Sequence, residues 1–315
     1  MNLDFRDAIF NSLRTIMLQD SNVICLTNDM GAMGLDQIRK ERAKQVVNVG
    51  IAEQNLMSVA GGLALAGKRV FAYGIASHIT TRCYEQIKLD ICATAQPVTI
   101  IAIGSGLSYG SDGPTHHAVN DLGYMGALPG LSIFNPSDVV SAGAAVQRAY
   151  TEAVPAYIRI DKDSFPIIYK ENEPGLFSEG LSVLKPGENI TLLSTGVLVH
   201  RALTVAHLLE KEGLSVSVVD CHRLRPFNED LVEKIVRNSK IVVTLEEHCR
   251  FGGLATLVSQ IIAERQIQVK FHPIALNDKF FLGSASRTWV HAEHGMTEEA
   301  IKNTIKQLHF KGSAK

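Results

Sequence analysis

Val98-Thr99-Ile100-Ile101-Ala102-Ile103 runs straight into Gly104-Ser105-Gly106. A run of that length, rich in β-branched side chains and apolar on both faces, predicts a strand covered on both sides. Upstream, Val23–Thr27, Val46–Val49 and Val70–Tyr73 read the same way, Val46–Val49 as a short buried strand. Between them lie helical patterns. Phe5–Gln19 sets Phe5, Ile9, Leu13, Ile16 and Met17 at helical spacing, Glu53–Ala66 is a small-residue helix stopped by Gly67, and Cys83–Ala93 follows. Downstream, strands Ser132–Phe134 and Ala156–Ile160 flank a helix over Asp138–Tyr150. Continuous apolar strands separated by helices predict a mostly parallel sheet with helices on both faces.

The alternation breaks at Asp163–Lys185, which holds Pro166 and Pro174, with Pro186 beyond, and Glu171, Glu173 and Glu179. A linker is expected there. A second series then begins: strands Thr191–Ser194, Ser215–Asp220, Ile241–Leu245 and Ile267–Pro273, with helices Leu198–Glu212, Asn228–Asn238, Gly253–Glu264 and a last one from Thr297. The fold class is therefore α/β, two three-layer α/β/α domains: residues 1–165, a linker over 166–186, and a smaller domain over 187–315. Length agrees, since 315 residues make about two domains.

Composition excludes several classes. With 31 basic and 32 acidic residues and no basic block longer than Arg39–Lys40, the chain is no dedicated nucleic-acid binder. Apolar runs such as Pro97–Ile103 are too short to cross a bilayer, and Met1–Asp7 leads into an amphipathic helix rather than a signal sequence. Five cysteines, at 25, 83, 92, 221 and 249, form no Cys-x-x-Cys, so neither a disulfide framework nor a zinc site is expected. The expected location is a reducing cytoplasm.

Ligands of open parallel sheets bind beyond the carboxyl ends of the strands. Three polar clusters fall there in the first domain. Asn48-Val49-Gly50-Ile51-Ala52-Glu53-Gln54 puts a carboxylate in the first turn of a helix, where the dipole favours it, either as a cap or as a working group. Ser105–Asn120 contains Ser111-Asp112-Gly113-Pro114-Thr115-His116-His117, suited to proton transfer or hydroxyl binding, or else a solvated polar loop. Arg159-Ile160-Asp161-Lys162-Asp163 offers cations for an anionic substrate, or surface ion pairs. No Gly-x-Gly-x-x-Gly follows a strand, since Gly104-Ser105-Gly106 meets its next glycine at Gly110, and there is no phosphate-binding GxxxxGK[ST] loop and no Gly-x-Ser-x-Gly elbow.

As a set, Asn48–Gln54, Thr80–Gln86 and Asp112–His117 resemble the transketolase family, deoxyxylulose-phosphate synthase included. The resemblance covers almost the whole chain, but only as the C-terminal half of a full-length enzyme: a pyrimidine-binding domain followed by the transketolase C-terminal domain. The domain with the Gly-Asp-Gly…Asn motif is not in this sequence. The chain thus looks like the second subunit of a split transketolase, transferring a two-carbon ketol unit from a ketose, phosphorylated or not, to an aldose.

The resemblance implies thiamine diphosphate as cofactor, with its diphosphate and Mg2+ or Ca2+ held mainly by a separate N-terminal subunit, and no metal ligands in this chain. An α2β2 heterotetramer is implied, with no nucleic acid and no membrane. Glu53 matches the glutamate that contacts the aminopyrimidine. A carboxyl hydrogen-bonded to the ring nitrogen stabilises the imino tautomer, whose exocyclic nitrogen removes the thiazolium proton. That role requires a buried carboxyl with a tuned pKa. Asp112 and His116 match a loop that touches ketose hydroxyls and carbonyl, with His116 also aiding proton transfer. Lys162 stands where relatives bind the sugar phosphate, with Arg159 the neighbouring candidate. Ile79 occupies the position of an aromatic ring stacked on the pyrimidine, with His78 adjacent and Arg82 also on the cofactor side. A histidine that many transketolases carry is replaced near Gly104. Arg82, Tyr84 and Gln86 look like deoxyxylulose-phosphate synthase, whereas Gly113-Pro114-Thr115-His116 looks like transketolase. Two rival readings are the β subunit of a 2-oxoacid dehydrogenase, against which Asp112–His117 argues, and a non-catalytic scaffold, against which Glu53 argues. Glu246-Glu247-His248 is expected as polar interface or strand-end groups, Gly252-Gly253 as a helix start, and His291 as packing or surface.

Overall fold

The structure, a computed structural model, describes residues 4–170, 177–282 and 285–313. Met1, Glu171, Glu173 and Pro174 lie outside the described residues. The strands are β1 (Val23–Thr27), β2 (Val46–Asn48), β3 (Arg69–Ile75), β4 (Val98–Ile103), β5 (Ser132–Phe134), β6 (Ala156–Ile160), β7 (Ser182–Lys185), β8 (Asn189–Ser194), β9 (Val216–Asp220), β10 (Arg223–Arg225), β11 (Ser239–Cys249) and β12 (Lys270–Leu276). The helices of the first half are α1 (Phe5–Gln19), α2 (Met33–Glu41), α3 (Glu53–Leu65), α4 (Ala76–Thr81), α5 (Tyr84–Gln86), α6 (Asp121–Gly126) and α7 (Val139–Glu152). Those of the second half are α8 (Leu198–Lys211), α9 (Glu229–Arg237), α10 (Leu254–Glu264), α11 (Arg287–Glu293) and α12 (Glu298–Ser313).

Two sheets result, a seven-stranded one ordered β10-β5-β6-β4-β3-β1-β2 and a five-stranded one ordered β12-β11-β8-β9-β7. Each is parallel except for one edge strand, β10 on β5 and β7 on β9. β4 sits at the centre of the first sheet, paired with β3 and β6, and all six of its residues are buried. Apolar clusters cover both faces of this sheet. One of them continues from Leu56 and Ile100 into the second half at Leu193, Val242 and Leu254, so the two sheets share core.

Three expectations change. β2 is an edge strand with Val47 and Asn48 exposed, so its apolar sequence reflects a parallel pair with β1 rather than burial. The interval read as linker contains β7, whose antiparallel bonds close the second sheet. Cys83–Ala93 is not one α-helix, because α5 passes into a π-helical turn at Ile87–Cys92. β10 adds a crossing: it belongs to the second half of the chain yet pairs with β5 of the first sheet. The domains also touch at two glycines, where a Cβ on Gly252 (φ 79°) would stand 2.4 Å from Gly123 Cα.

Candidate active site

The carboxyl ends of β1, β2, β3, β4 and β6 all open onto one edge of the first sheet, and the polar clusters are gathered there. Parallel strands make this unavoidable, because each loop that leaves a strand leaves it at the same edge. Asn28 follows β1, Glu53 opens α3 after β2, and His78 and Arg82 lie on and just after α4, which follows β3. Tyr109, Asp112 and His116 belong to the loop after β4, and Asp161 and Lys162 follow β6.

Glu53 is 3% exposed at the N-terminus of α3. Arg82 Nη1 donates to Glu53 Oε2 at 2.7 Å, Asn28 Nδ2 donates to Oε1 at 3.2 Å, and His78 Nδ1 stands 4.0 Å from Oε1. Burial raises the carboxyl's pKa, but the backbone amide at the helix start, Arg82 and Asn28 outweigh it and leave Glu53 below the ordinary carboxylate value. The carboxylate is therefore ionised and oriented, with one oxygen held by a cation that is itself half exposed. His78 is held below its ordinary value by burial, with Arg82 and His116 adding to the effect.

The loop after β4 approaches from the other side. Ser77 Oγ donates to the Thr115 carbonyl at 2.9 Å, and the His78 and His116 rings meet at 4.9 Å between centroids. His116 is half-buried, with Nδ1 engaged by Thr115 Oγ1 at 3.0 Å. The Tyr109 ring lies 5.4 Å from His116, and the Lys162 ammonium sits 4.7 Å over the Tyr109 ring. Tyr109 packs against Gly104, where any Cβ would fall 2.2 Å from Tyr109 Cε2, so the ring occupies the space a histidine there would need. Asp112 is exposed on the turn ahead of His116. His117 is not a solvated loop histidine: it is buried and bonds the Gly110 carbonyl at 2.9 Å through Nε2.

A cleft of about 410 Å³ opens along this edge. His78 and Arg82 form one wall, Thr115 and Asn120 another, and Lys279 and Phe281 of the second domain a third. Glu53 lies behind Arg82 and His78. The structure thus brings together Glu53, His78 and Arg82, and sets His116, Tyr109 and Lys162 in ring contact beside them. Two predicted residues are placed elsewhere. Ile79 is fully buried in the core beside Gly74, so His78 rather than Ile79 reaches the cleft. Arg159 is buried within β6, paired to Asp121 at 2.7 Å and donating to the Ala118 and Glu247 carbonyls, so no guanidinium N–H faces a substrate. It is a core ion pair rather than a surface one.

Sequence reading missed Asn28, Tyr109, Lys279 and Phe281. Asn28 was within reach, being the first polar residue beyond a strand end. The second-domain residues carry no local signal, because they are remote in sequence from the first-domain residues and meet them only in the fold, as where the Phe281 ring lies 6.5 Å from His117. Among the described residues no group of three or more His, Cys, Asp or Glu side chains is placed to hold a metal ion, and no helix is long and apolar enough to cross a membrane.

The family model for the transketolase pyrimidine-binding domain matches residues 1–167, and that for the transketolase C-terminal domain matches 180–301. The chain belongs to the transketolase family. Within it, the chain is 28% identical to an apulose-4-phosphate transketolase subunit of Phocaeicola vulgatus, over 96% of each chain. It is 32% identical to the protein of the same name from Actinobacillus succinogenes, over 85% of this chain and 86% of that one. The 1-deoxy-D-xylulose-5-phosphate synthase of Crocosphaera subtropica matches at 30% over 95% of this chain but only 47% of its own length. A solved split gene transketolase, an inactive beta4 tetramer, superposes with TM-score 0.86 at 28% identity, over 98% of both chains. The chain is therefore of the transketolase class, a transferase subunit with the extent of the second subunit of a split enzyme.

Proposed function

We propose that this chain supplies the pyrimidine side of a two-chain, thiamine-diphosphate-dependent transketolase that moves a two-carbon ketol unit from a phosphorylated ketose to an aldose. The observation that carries the reading is the buried Glu53 carboxylate at a helix start, flanked by His78 and Arg82 at the cleft. This donor set fits an aminopyrimidine: a dry carboxylate for a ring nitrogen, with imidazole and guanidinium edges beside it. When bound, the cofactor supplies the carbon nucleophile that carries the ketol unit. Glu53 would hold the cofactor by sharing a proton with the pyrimidine nitrogen, and its burial would keep water from competing for that proton. Arg82 would yield its Glu53 oxygen to the pyrimidine, which removes one of the contacts that lower the carboxyl's pKa. Thr115 Oγ1 donates to the Asp112 carbonyl at 3.2 Å and so accepts from His116 Nδ1, which leaves His116 Nε2 to take a proton from a substrate hydroxyl. Asp112 accepts from ketose hydroxyls, and Lys162 takes the anionic end of the sugar.

The metal and the diphosphate belong to a separate N-terminal subunit, in an α2β2 assembly in the cytoplasm, and the chain alone is inactive. The two relatives that carry apulose-4-phosphate in their names favour a phosphorylated ketose. The test is reconstitution of this chain with the transketolase-like chain that carries Gly-Asp-Gly…Asn, assayed across a ketose panel. Ketol transfer by the pair and none by either chain supports the reading. Decarboxylation of a 2-oxoacid with a lipoyl acceptor in place of ketol transfer overturns it.

A further inference from the structure

The densest cluster of buried ionisable groups outside the cleft lies where the second domain meets the carboxyl edge of the first sheet. The Glu247 carboxylate, on β11, accepts the Leu107 amide at 2.9 Å and Arg287 through Nε at 2.7 Å and Nη2 at 2.8 Å. His291 Nε2 completes the ring of donors. From there Arg287 reaches into the first domain: Nη2 donates to Asp161 Oδ2 at 2.7 Å and Nη1 to Asp163 Oδ2 at 3.3 Å. One guanidinium thus grips the residues on either side of Lys162. Lys162 is the side chain whose ammonium covers the Tyr109 ring, and that ring in turn touches His116. A planar fork serves three carboxylates in a fixed geometry, whereas a lysine there is a single point charge that cannot hold them all.

We propose that Arg287 is a positioning residue of the second domain: by clamping Asp161 and Asp163 to Glu247 it aims Lys162 at the anionic end of the ketose. The inference rests on the reading of Lys162 given above. It assigns the C-terminal domain a part in substrate selection without contact to the substrate.

The test uses the reconstituted two-chain enzyme with Arg287→Lys, Lys162→Met and the double variant. Donors are D-xylulose 5-phosphate and D-fructose 6-phosphate, with hydroxypyruvate as a donor that lacks a phosphate. Arg287→Lys is expected to raise KM for the phosphorylated donor about tenfold while kcat moves less than about threefold, and to add less than about twofold in the Lys162→Met background. An equal penalty in both backgrounds, or an equal KM rise for hydroxypyruvate, overturns the inference and leaves the Lys162 reading standing. Lys162→Met without effect on that KM, or no turnover of either phosphorylated donor, overturns the Lys162 reading and the inference with it. Should Arg287→Lys fail to assemble, Asp163→Asn removes only the exposed arm of the clamp. It is expected to raise the same KM a few-fold, and an unchanged KM overturns the proposal.

Discussion

Two clusters of the same residue types stand at the same sheet edge and behave differently. Around the cleft, Glu53, His78, Arg82 and His116 share few bonds, and Arg82 and His116 reach solvent. At the domain junction, Glu247, Arg287, Asp161 and His291 are packed so that the acids are buried and each of the three guanidinium nitrogens of Arg287 is engaged by a carboxylate. Burial raises the pKa of Glu247, but Arg287 and His291 hold the carboxyl far below the ordinary range. An acid that can give up a partner is available for chemistry, whereas one whose partners are all internal fixes geometry. Composition alone does not separate the two.

The largest expected effect belongs to the junction. Glu247→Ala leaves His291 Nε2 and the Leu107 amide without their acceptor and Arg287 with Asp161 and Asp163 alone, and should cost about 3–5 kcal/mol of stability in chemical denaturation. A cost under about 1 kcal/mol would mean the cluster is not the rigid member of the pair. Next, His116→Ala should lower kcat of the reconstituted enzyme by about 100-fold while its Tm stays within about 2 °C, the opposite signature. A large fall in Tm with little loss of kcat would make the two clusters alike. Arg82→Ala removes the cation that depresses Glu53, so the acid limb of the pH profile of kcat/KM should move to higher pH. A limb that stays in place or moves down argues against the pairing.

The smallest effect concerns His248, buried and lowered to about 4, first by burial and then by Arg159. Its Nδ1 bonds the Cys249 carbonyl at 2.8 Å, which makes Nδ1 the protonated nitrogen and leaves Nε2 to accept the Leu122 amide at 3.1 Å. A histidine buried neutral stabilises above its unfolded value of about 6.5, and that contribution fades as pH falls toward 4. His248→Gln should therefore be less stable than the parent at pH 7.5, and the gap in Tm should close by pH 4.5. A gap that widens on acidification contradicts the neutral form.

Much of the first domain was legible in sequence because parallel strands are apolar on both faces, and β4 and β6 carry that signature without interruption. Glu53 was legible for a local reason, a carboxylate in the first turn of a helix that follows a strand. Arg159 misled because it lies near a strand end, yet in the structure it is still within β6 and its side chain enters the core. Only Asp161 onward clears the sheet. α4 hides Ile79 by its rotation, since a turn that presents His78, Thr81 and Arg82 to the cleft sends Ile79 into the core. β10 and Arg287 had no local signal: Arg223-Leu224-Arg225 becomes a strand only by pairing with β5, and Arg287 gains its meaning from carboxylates on β11 and after β6.

The most direct test of the account is Glu53→Gln in the reconstituted two-chain enzyme, which keeps the side chain's shape and removes its ability to hold a proton for the pyrimidine. The account predicts a fall in kcat/KM for ketol transfer of at least about 100-fold with folding and assembly intact. Transfer within about fivefold of the parent would contradict it, because a carboxyl that can be dispensed with is a helix cap and nothing more.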